Sequence, residues 1–309
     1  MSNLTVSNLT NVTMKGEAAK DVFSVVFISI TIIIILIACP FTIGLNVLVI
    51  TAVKRRSRLQ SNANIMLACL AVTDVLAGLT SQPLFMLWNT SLVFGTGNIA
   101  VLKATHRFFF AFLSYSSALH LMMVVGERLI AIKFTFLYPL VMTTRNIKIG
   151  VCFCWIYSGW CRLTLYLIDE SNSWYFIFAS HILFLCVVFV SCSYVILYFE
   201  TCRHQKMIKA QQLPQEQVER FLKENKALKT TVLVVSAVGL CLLPAAFYLV
   251  IRASGFFQTI THLLDSMEAM TRTFMMMNSL LNPLIYCWRQ EEMRKFVLRT
   301  SAEAVQPIN

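Results

Sequence analysis

The sequence predicts an all-α membrane protein, a bundle of seven transmembrane helices followed by a short amphipathic helix. Of its 309 residues, 57% are hydrophobic and only 13% are charged. The apolar residues form blocks of about 20 residues or more, the length that an α-helix needs to cross a bilayer. Basic residues concentrate in alternate joints between the blocks, a pattern that indicates membrane topology rather than nucleic-acid binding.

The apolar blocks, with their helical polar extensions, define seven predicted helices. We place them at residues 22–53, 62–88, 100–132, 147–168, 174–204, 216–251 and 259–287. No linker or internal repeat divides them, so residues 22–288 are predicted to form one domain. The odd number of helices puts the two termini on opposite sides of the membrane.

The distribution of basic residues orients this bundle. If the amino terminus is outside, 18 of the 26 lysines and arginines lie in the inner joints and tail. The positive-inside rule therefore predicts a multi-pass plasma-membrane protein with an extracellular amino terminus and a cytoplasmic carboxyl terminus. No cleavable signal precedes the first helix, which we expect to act as a signal anchor.

Both terminal segments have a predicted role. Residues 1–21 form a polar extracellular tail with three clustered glycosylation sequons. A fourth sequon falls in the first predicted outer loop. The four acceptors are Asn3, Asn8, Asn11 and Asn89. Residues 289–309 alternate basic and apolar side chains, which predicts an amphipathic helix on the lipids of the inner leaflet and a short cytoplasmic tail.

Polar residues at membrane depth mark a candidate ion site. Asp74 lies in the middle of the second helix with no basic residue in the adjacent turns, and a charge there is costly. Oxygen-bearing side chains of other helices lie at comparable depth: Asn46, Ser117, Asn278, Ser279 and Asn282. Such oxygens suit a sodium ion. The alternative is a hydrogen-bond network that only joins the helices, and these residues by themselves favour neither reading.

The inner ends of the third and sixth helices carry a candidate lock. The Glu127–Arg128 pair stands where it can reach water, and Glu224 offers the arginine a second carboxylate. Breaking that second contact would free the sixth helix. Pro244 and Pro283 each remove a backbone hydrogen bond and predict kinks at which the sixth and seventh helices pivot.

The outer ends of the third and seventh helices predict a pocket for an anion. Lys103 and Arg107 lie one turn apart on one face, and Arg272 lies in the outer half of the seventh helix. One hypothesis is that these side chains bind a carboxylate or phosphate. The alternative, which we favour, is that they reach lipid headgroups or pair with acidic neighbours, namely Asp169, Asp265 or Glu268.

Taken in order, these residues resemble the rhodopsin-like family of G-protein-coupled receptors from about residue 30 to 300. The seventh-helix signature is complete from Asn278 to Tyr286. The other matching positions are Asn46, Asp74, Glu127, Arg128, Trp155, Tyr194 and Pro244. The resemblance implies a receptor that transmits the signal of an extracellular small-molecule, lipid or peptide ligand to a heterotrimeric G protein as the sixth helix moves outward.

The resemblance also implies roles for single residues. It places Asp74 and its neighbours on the family's sodium site, and Arg128 and Glu224 on its ionic lock. Arg128 and Phe136 fall where the G protein binds. The implied switch residues are Tyr194, Leu242, Pro244, Pro283 and Tyr286. Phe110 occupies the position of the aspartate in amine receptors, which argues against a biogenic amine as the ligand.

Several positions depart from the family pattern. Lys103 replaces the disulfide cysteine of the third helix, Leu242 the toggle tryptophan, and Leu129 the tyrosine after the arginine. All ten cysteines lie in apolar segments or at their inner ends, so we expect no outer-loop disulfide and no metal site beyond sodium. The departures predict unusual switching, toward elevated basal activity.

Two other functions remain possible from the residues. One is a receptor-fold protein that no longer signals, and the other is a transporter in which Asp74 relays an ion. An enzyme is not expected, because His106, His120 and His181 lie on separate turns without a paired nucleophile. Sodium is the single cofactor that we expect, and nucleic acid is not expected as a partner.

Overall fold

The computed structural model of the chain is helical and contains no strand within the residues it describes. These are residues 2–168, 173–211, 239, 241, 243–245, 247–248, 251, 261–289 and 291–305. Glu224 and Leu242, two of the predicted signalling residues, lie outside this part of the chain. The side chains of Asn3, Asn8 and Asn11 also lie outside it, although their backbone is described.

The described helices follow the order of the predicted ones. They are α1 (Ser2–Arg55), α2 (Asn62–Leu76), α3 (Gln82–Phe94), α4 (Ile99–Lys133), α5 (Tyr138–Val141), α6 (Thr144–Leu167), α7 (Ser173–Gln211), α8 (Thr261–Arg289) and α9 (Glu291–Val305). Together α2 and α3 correspond to the second predicted helix. Most of the sixth predicted helix lies outside the described residues, and its described positions between 239 and 251 are helical.

The first helix begins well before the predicted membrane boundary. Residues 2–21, predicted as a tail, continue α1 as helix. The apolar block from residue 22 marks where a helix crosses the membrane, and it does not mark where the helix itself begins. The preceding Glu17-Ala18-Ala19-Lys20 run consists of good helix formers, which allows the helix to extend.

A π-helical turn, Ala77–Ser81, joins α2 to α3. Pro83 lies two residues after this turn and has no N–H to offer it, so the regular hydrogen-bond ladder widens at this point. The helix then continues to Phe94, where Gly95 ends it with a φ of 63°. This left-handed conformation favours glycine at a helix end.

The length of α3 corrects the prediction for Asn89. This residue lies within α3 rather than in a loop, and it is only 1% exposed. Its Nδ2 donates a hydrogen bond to the Phe85 carbonyl at 2.8 Å. The predicted position of Asn89 in an outer loop is therefore wrong, and a glycan at this residue stays a prediction. The polar character of its surroundings concealed a helix that no glycine or proline interrupts between Pro83 and Gly95.

Four helical segments among the described residues are long and apolar enough to cross a membrane. They are Ser24–Arg55, Asn62–Phe94, Ile99–Lys133 and Phe178–Glu200. The helices α6 and α8 are also long, but charged residues interrupt their apolar character. Two of these charges, Arg162 and Glu268, face the interior of the bundle, as described below.

The helix α4 lies at the centre of the packing and contacts α2, α3, α6 and α7. The helix α1 packs against α2 and α8 on one side. A hydrophobic core joins the halves of five helices on the predicted inner, cytoplasmic side and includes Leu67, Leu121, Ile147, Val190 and Tyr286. The helix α9 turns back onto α1, where Met293 and Phe296 are buried against Val49 and Val53.

Candidate functional site

A cavity of about 220 Å³ runs between α2, α4, α6, α7 and α8. Along α4 its wall includes both Arg107 and Ser117, ten residues apart, which corresponds to about 15 Å of helix. Arginines line one part of the cavity, and Asp74 lines another. Apolar side chains make up most of the wall between them. One continuous space therefore connects the predicted ligand pocket with the predicted ion site.

All five predicted ion-site residues line this cavity: Asp74, Ser117, Asn278, Ser279 and Asn282. Asp74 is 1% exposed, and its Oδ2 accepts a hydrogen bond from Asn282 Nδ2 at 3.1 Å. Asn46 Nδ2 donates to the Ser279 carbonyl at 2.9 Å, which joins α1 to α8. Asn46 thus joins helices outside the cavity wall, whereas Asp74 and Asn282 both join helices and line the cavity.

Among the cavity-lining residues of this cluster, three buried oxygens have no hydrogen-bond partner in the described part of the chain. They belong to Asp74 (Oδ1), Asn278 (Oδ1) and Asn282 (Oδ1). The two amide oxygens can only accept hydrogen bonds, and the Asp74 oxygen can only accept one while its carboxyl is ionised. The cluster with an ionised Asp74 therefore contains unsatisfied acceptors around one buried negative charge. Such a donor set fits a hard monovalent cation.

Glu268 pairs with two arginines in the outer part of the cavity. It is 5% exposed, it accepts a hydrogen bond from Arg272 Nη2 at 2.5 Å, and it lies 3.5 Å from Arg107 Nη2. The alternative that these arginines pair with an acidic neighbour is therefore what the structure shows. A carboxylate held by two guanidinium groups in a buried site is strongly stabilised in its charged form.

Aromatic rings hold the basic side chains of this region in place. The guanidinium of Arg272 lies 5.4 Å from the Trp88 ring centroid and 5.2 Å from that of Phe110. Lys103 Nζ lies 5.5 Å from the Trp88 ring, outside the cavity wall. The cation–π contacts keep these cations beside α3 and α4 without neutralising them.

His106 connects the π-helical turn to this aromatic group. It is fully buried, it stacks on Trp88, and its Nδ1 lies 3.1 Å from the Ser81 carbonyl. The widened turn leaves carbonyl groups that need partners, and the imidazole N–H can satisfy one of them. This contact fixes α4 against the segment that carries Asp74.

Sequence reasoning did not assign Arg162 to the site. The residue is 8% exposed and lines the cavity from α6, with its guanidinium 5.4 Å from the Phe108 ring centroid. Its position along α6 could have identified it from the sequence, because helical spacing places it on the same face as the buried residues Cys154, Ser158, Cys161 and Leu165.

At the inner end of the bundle, Glu127 lies between two partners. The residue is 2% exposed, its Oε2 lies 3.3 Å from Arg128 Nε, and its Oε1 accepts a hydrogen bond from the Tyr138 hydroxyl at 2.8 Å. Burial, with the hydrogen bond to Glu127, raises the pKa of Tyr138 above its usual value. The phenol therefore stays protonated and remains a donor at neutral pH.

We expect the substitution Tyr138→Phe to lower the free energy of unfolding by about 1–3 kcal/mol, because it removes a hydrogen bond to a buried carboxylate. Thermal unfolding of the purified receptor measures this loss. The matched control is Tyr166→Phe, since Tyr166 is 74% exposed and should change stability by less than about 0.5 kcal/mol. Equal effects of the two substitutions would show that the Tyr138 contact adds nothing.

The remaining predicted signalling residues occupy distinct environments. Phe136 is 96% exposed in the segment before α5, whereas Tyr286 is 2% exposed with no hydrogen-bond partner for its hydroxyl among the described residues. Tyr194 packs its ring against Tyr198 of the same helix. The Pro244 carbonyl accepts a hydrogen bond from Thr271 Oγ1 at 3.4 Å, and Pro283 lies within α8.

Comparisons with known proteins agree with this geometry. Residues 45–286 match the family model of the seven-transmembrane receptors of the rhodopsin family. The chain is 25% identical to melanocortin receptor 5 of Pan troglodytes over 300 residues, which cover 95% of this chain and 89% of the relative. It is 27% identical to trace amine-associated receptor 7c of Rattus norvegicus over 286 residues, 82% of this chain and 76% of the relative.

A third relative is the adenosine receptor A2a of Cavia porcellus, 26% identical over 305 residues, which cover 88% of this chain and 71% of the relative. These matches confirm the resemblance drawn from the motifs and do not favour a transporter or a non-signalling protein. The chain therefore belongs to the rhodopsin family of seven-transmembrane receptors, and it is a multi-pass membrane protein that acts as a G-protein-coupled receptor rather than as an enzyme.

Proposed function

We propose that this receptor spans the plasma membrane seven times, with its amino terminus outside, and binds an extracellular ligand in the outer part of the cavity. The observation that carries this proposal is the continuous cavity between Arg107 and Asp74. A ligand that enters it lies within one connected space with the buried carboxylate. Its binding can therefore alter the packing of α2, α4 and α8 around that carboxylate.

Two further features support the membrane topology in this proposal. The basic residues concentrate on the side that carries α9, as the positive-inside rule requires of a cytoplasmic face. The helix α9 buries Met293 and Phe296 against α1 and exposes Leu298. We expect α9 to lie on the inner leaflet and the three sequons before residue 12 to carry glycans.

Signal transmission proceeds in this proposal by a shift between two populations. A bound ligand favours the state in which Arg128 leaves Glu224 and the sixth helix moves outward. The chain pivots at Pro244 and Pro283, and the cytoplasmic cleft that opens engages the G protein. The 96% exposure of Phe136 leaves its ring accessible to that partner.

Asp74, Ser117, Asn278, Ser279 and Asn282 are the residues that would hold a sodium ion in this receptor. The ion, when bound, supplies a positive charge beside the Asp74 carboxylate. Asn282 orients that carboxylate through its 3.1 Å hydrogen bond, and the unsatisfied amide oxygens of Asn278 and Asn282 complete the acceptor group. These contacts would hold α2 to α8 in the inactive arrangement.

The ligand of this receptor is proposed to carry an anionic group. The outer wall contains Arg107 and Arg272 against the single described carboxylate of Glu268, so positive charge is in excess there. Lys103 adds a further positive charge beside this wall, next to the Trp88 ring. Phe110 provides an aromatic surface beside them. The relatives' names refer to melanocortin, trace amines and adenosine, three unrelated ligands that do not select one for this chain.

Basal G-protein activation in cells tests the signalling mechanism. A panel of G-protein dissociation reporters compares the wild type with Arg128→Ala and Glu224→Ala at matched surface expression. We expect the signal to rise for Glu224→Ala, which frees the arginine, and to vanish for Arg128→Ala. Loss of Arg128 without any change in signal would contradict the mechanism.

A further inference from the structure

The basic residues around the outer cavity differ in how far their charges are already compensated. Glu268 lies between Arg107 and Arg272 and contacts both guanidinium groups. A ligand anion that approaches these two arginines must compete with a carboxylate of the chain itself. The pair is therefore a poorer first anchor for a ligand than the sequence indicates.

Arg162 differs from these two arginines in its surroundings. It is 8% exposed, it lines the same cavity, and it forms no ion pair with another described residue. Its Nε has no hydrogen-bond partner among the described residues, and its guanidinium lies over the Phe108 ring. A buried guanidinium is costly without an anion, because an aromatic ring compensates only part of the lost hydration.

The cavity wall along α6 and α7, which includes Arg162, is otherwise mainly apolar. Leu165, Ile182 and Leu183 lie there, and Tyr115 adds a ring whose hydroxyl is already engaged with the Ala179 carbonyl at 3.0 Å. The space of about 220 Å³ is below the size of a typical drug-binding pocket. It suits a small molecule with one charged group and a short apolar body.

We propose that Arg162 is the primary anchor of the ligand's anionic group, that the ligand is a small amphiphilic carboxylate or similar organic anion, and that Glu268 competes with it for Arg107 and Arg272. This inference rests on the ligand site of the proposed function. The anion binds Arg162 while its apolar body fills the space along α6 and α7. Glu268 holds the two other arginines and limits the affinity for the anion.

Binding of octanoate to the purified full-length receptor tests this inference. The receptor is held in phosphatidylcholine nanodiscs, and its thermal unfolding is followed as octanoate or the uncharged 1-octanol is added. We expect octanoate to stabilise the wild type at lower concentrations than 1-octanol does. The variant Arg162→Gln should weaken octanoate binding about 10- to 100-fold, as expected for the loss of a hydrogen bond to a charged group.

A more conservative variant keeps the test decisive if Arg162→Gln does not fold. Arg162→Lys retains the charge and should retain octanoate binding within about tenfold, and Glu268→Gln should strengthen it, because it releases Arg107 and Arg272. The matched control is Arg145→Gln, an exposed arginine at the other end of α6, which should leave octanoate binding unchanged. Nanodiscs containing phosphatidylglycerol distinguish a lipid source, since an Arg162-dependent stabilisation by that lipid would identify the anion as a headgroup.

Several outcomes would overturn the inference. Equal effects of octanoate and 1-octanol, or unchanged octanoate binding in Arg162→Gln, would remove the role of the guanidinium. Octanoate binding that appears only in Asp169→Asn would show that the chain itself neutralises Arg162. Basal G-protein activation is measured on the same variants, so a receptor that signals but binds no anion loses this inference and keeps the proposed function.

Discussion

The substitution Glu268→Gln is expected to lower the free energy of unfolding by about 3–5 kcal/mol. Glu268 is 5% exposed and contacts Arg272 at 2.5 Å and Arg107 at 3.5 Å. Glutamine keeps the size of the side chain and removes its charge, which leaves two partly buried guanidinium groups without their shared carboxylate. Removal of one partner from a buried ion pair is strongly destabilising because the remaining charge stays buried.

Thermal unfolding of the purified receptor, with Glu291→Gln as the control, measures this effect. Glu291 pairs with Lys295 at 2.8 Å, also with a spacing of four residues, but both side chains are more than half exposed. The control should therefore change stability by less than about 1 kcal/mol. A similar small loss for Glu268→Gln would mean that the buried ion group contributes no more than a surface pair.

The double variant Glu268→Gln with Arg272→Gln shows whether the loss of stability comes from leaving Arg272 buried without its counterion. If the loss in Glu268→Gln comes from the unpaired arginine, removal of Arg272 as well should recover part of the stability. Additive losses would instead indicate two independent packing defects. Glu268 is identified as the counterion only if the double variant loses less stability than the sum of the two single variants.

The positions of the helices were predictable from the sequence because the bilayer imposes a minimum apolar length. For this reason the predicted bounds of α4, residues 100–132, lie within one residue of the structural ones, and the predicted start of α7 at residue 174 lies one residue from Ser173. The end of α7 was not predictable in this way, because its polar extension runs beyond the predicted residue 204 to Gln211. The side of each helix that faces the protein interior could not be predicted in the same way. A membrane helix is apolar on its lipid side as well as its core side, so hydrophobic periodicity does not reveal which side faces inward.

Polar residues indicate which side of a membrane helix faces the protein interior, but only for some of the helices. Asp74 and Asn282 were assigned to one site because a carboxylate and an amide at membrane depth must face protein. Arg162 carries an equal penalty, and its position near the outer end of α6 allowed it to be counted as a surface residue. Glu268 was considered only as an alternative partner, since pairing depends on the distance between α4 and α8.

The error at Asn89 has a different origin. A sequon indicates a glycan only where the chain is accessible, and the prediction placed the helix end at residue 88. The widened turn before Pro83 alters the register of α3, and the helix continues to Gly95. Local motifs do not report such a change of register, because it depends on the backbone hydrogen bonds of the preceding turn.

The substitution Asp74→Asn is expected to abolish the effect of sodium on the receptor. If sodium binds the inactive arrangement with the Asp74 carboxylate as a ligand, the wild type is stabilised by an amount that grows with the sodium concentration. This amount is about 2.7 kcal/mol when sodium exceeds its dissociation constant a hundredfold. Asparagine has nearly the same shape but no charge, so the variant should unfold at the same temperature with and without sodium.

Thermal unfolding in sodium chloride and in N-methylglucamine chloride of equal ionic strength makes this comparison. The variant Glu200→Gln, which removes a carboxylate paired with Arg203 at 3.7 Å on α7, should keep the full sodium effect. Equal unfolding of the wild type in both salts would contradict a cation site. The unpartnered oxygens of Asp74, Asn278 and Asn282 would then need protein or water donors, and the cluster would be the interhelical network that the sequence left as the alternative.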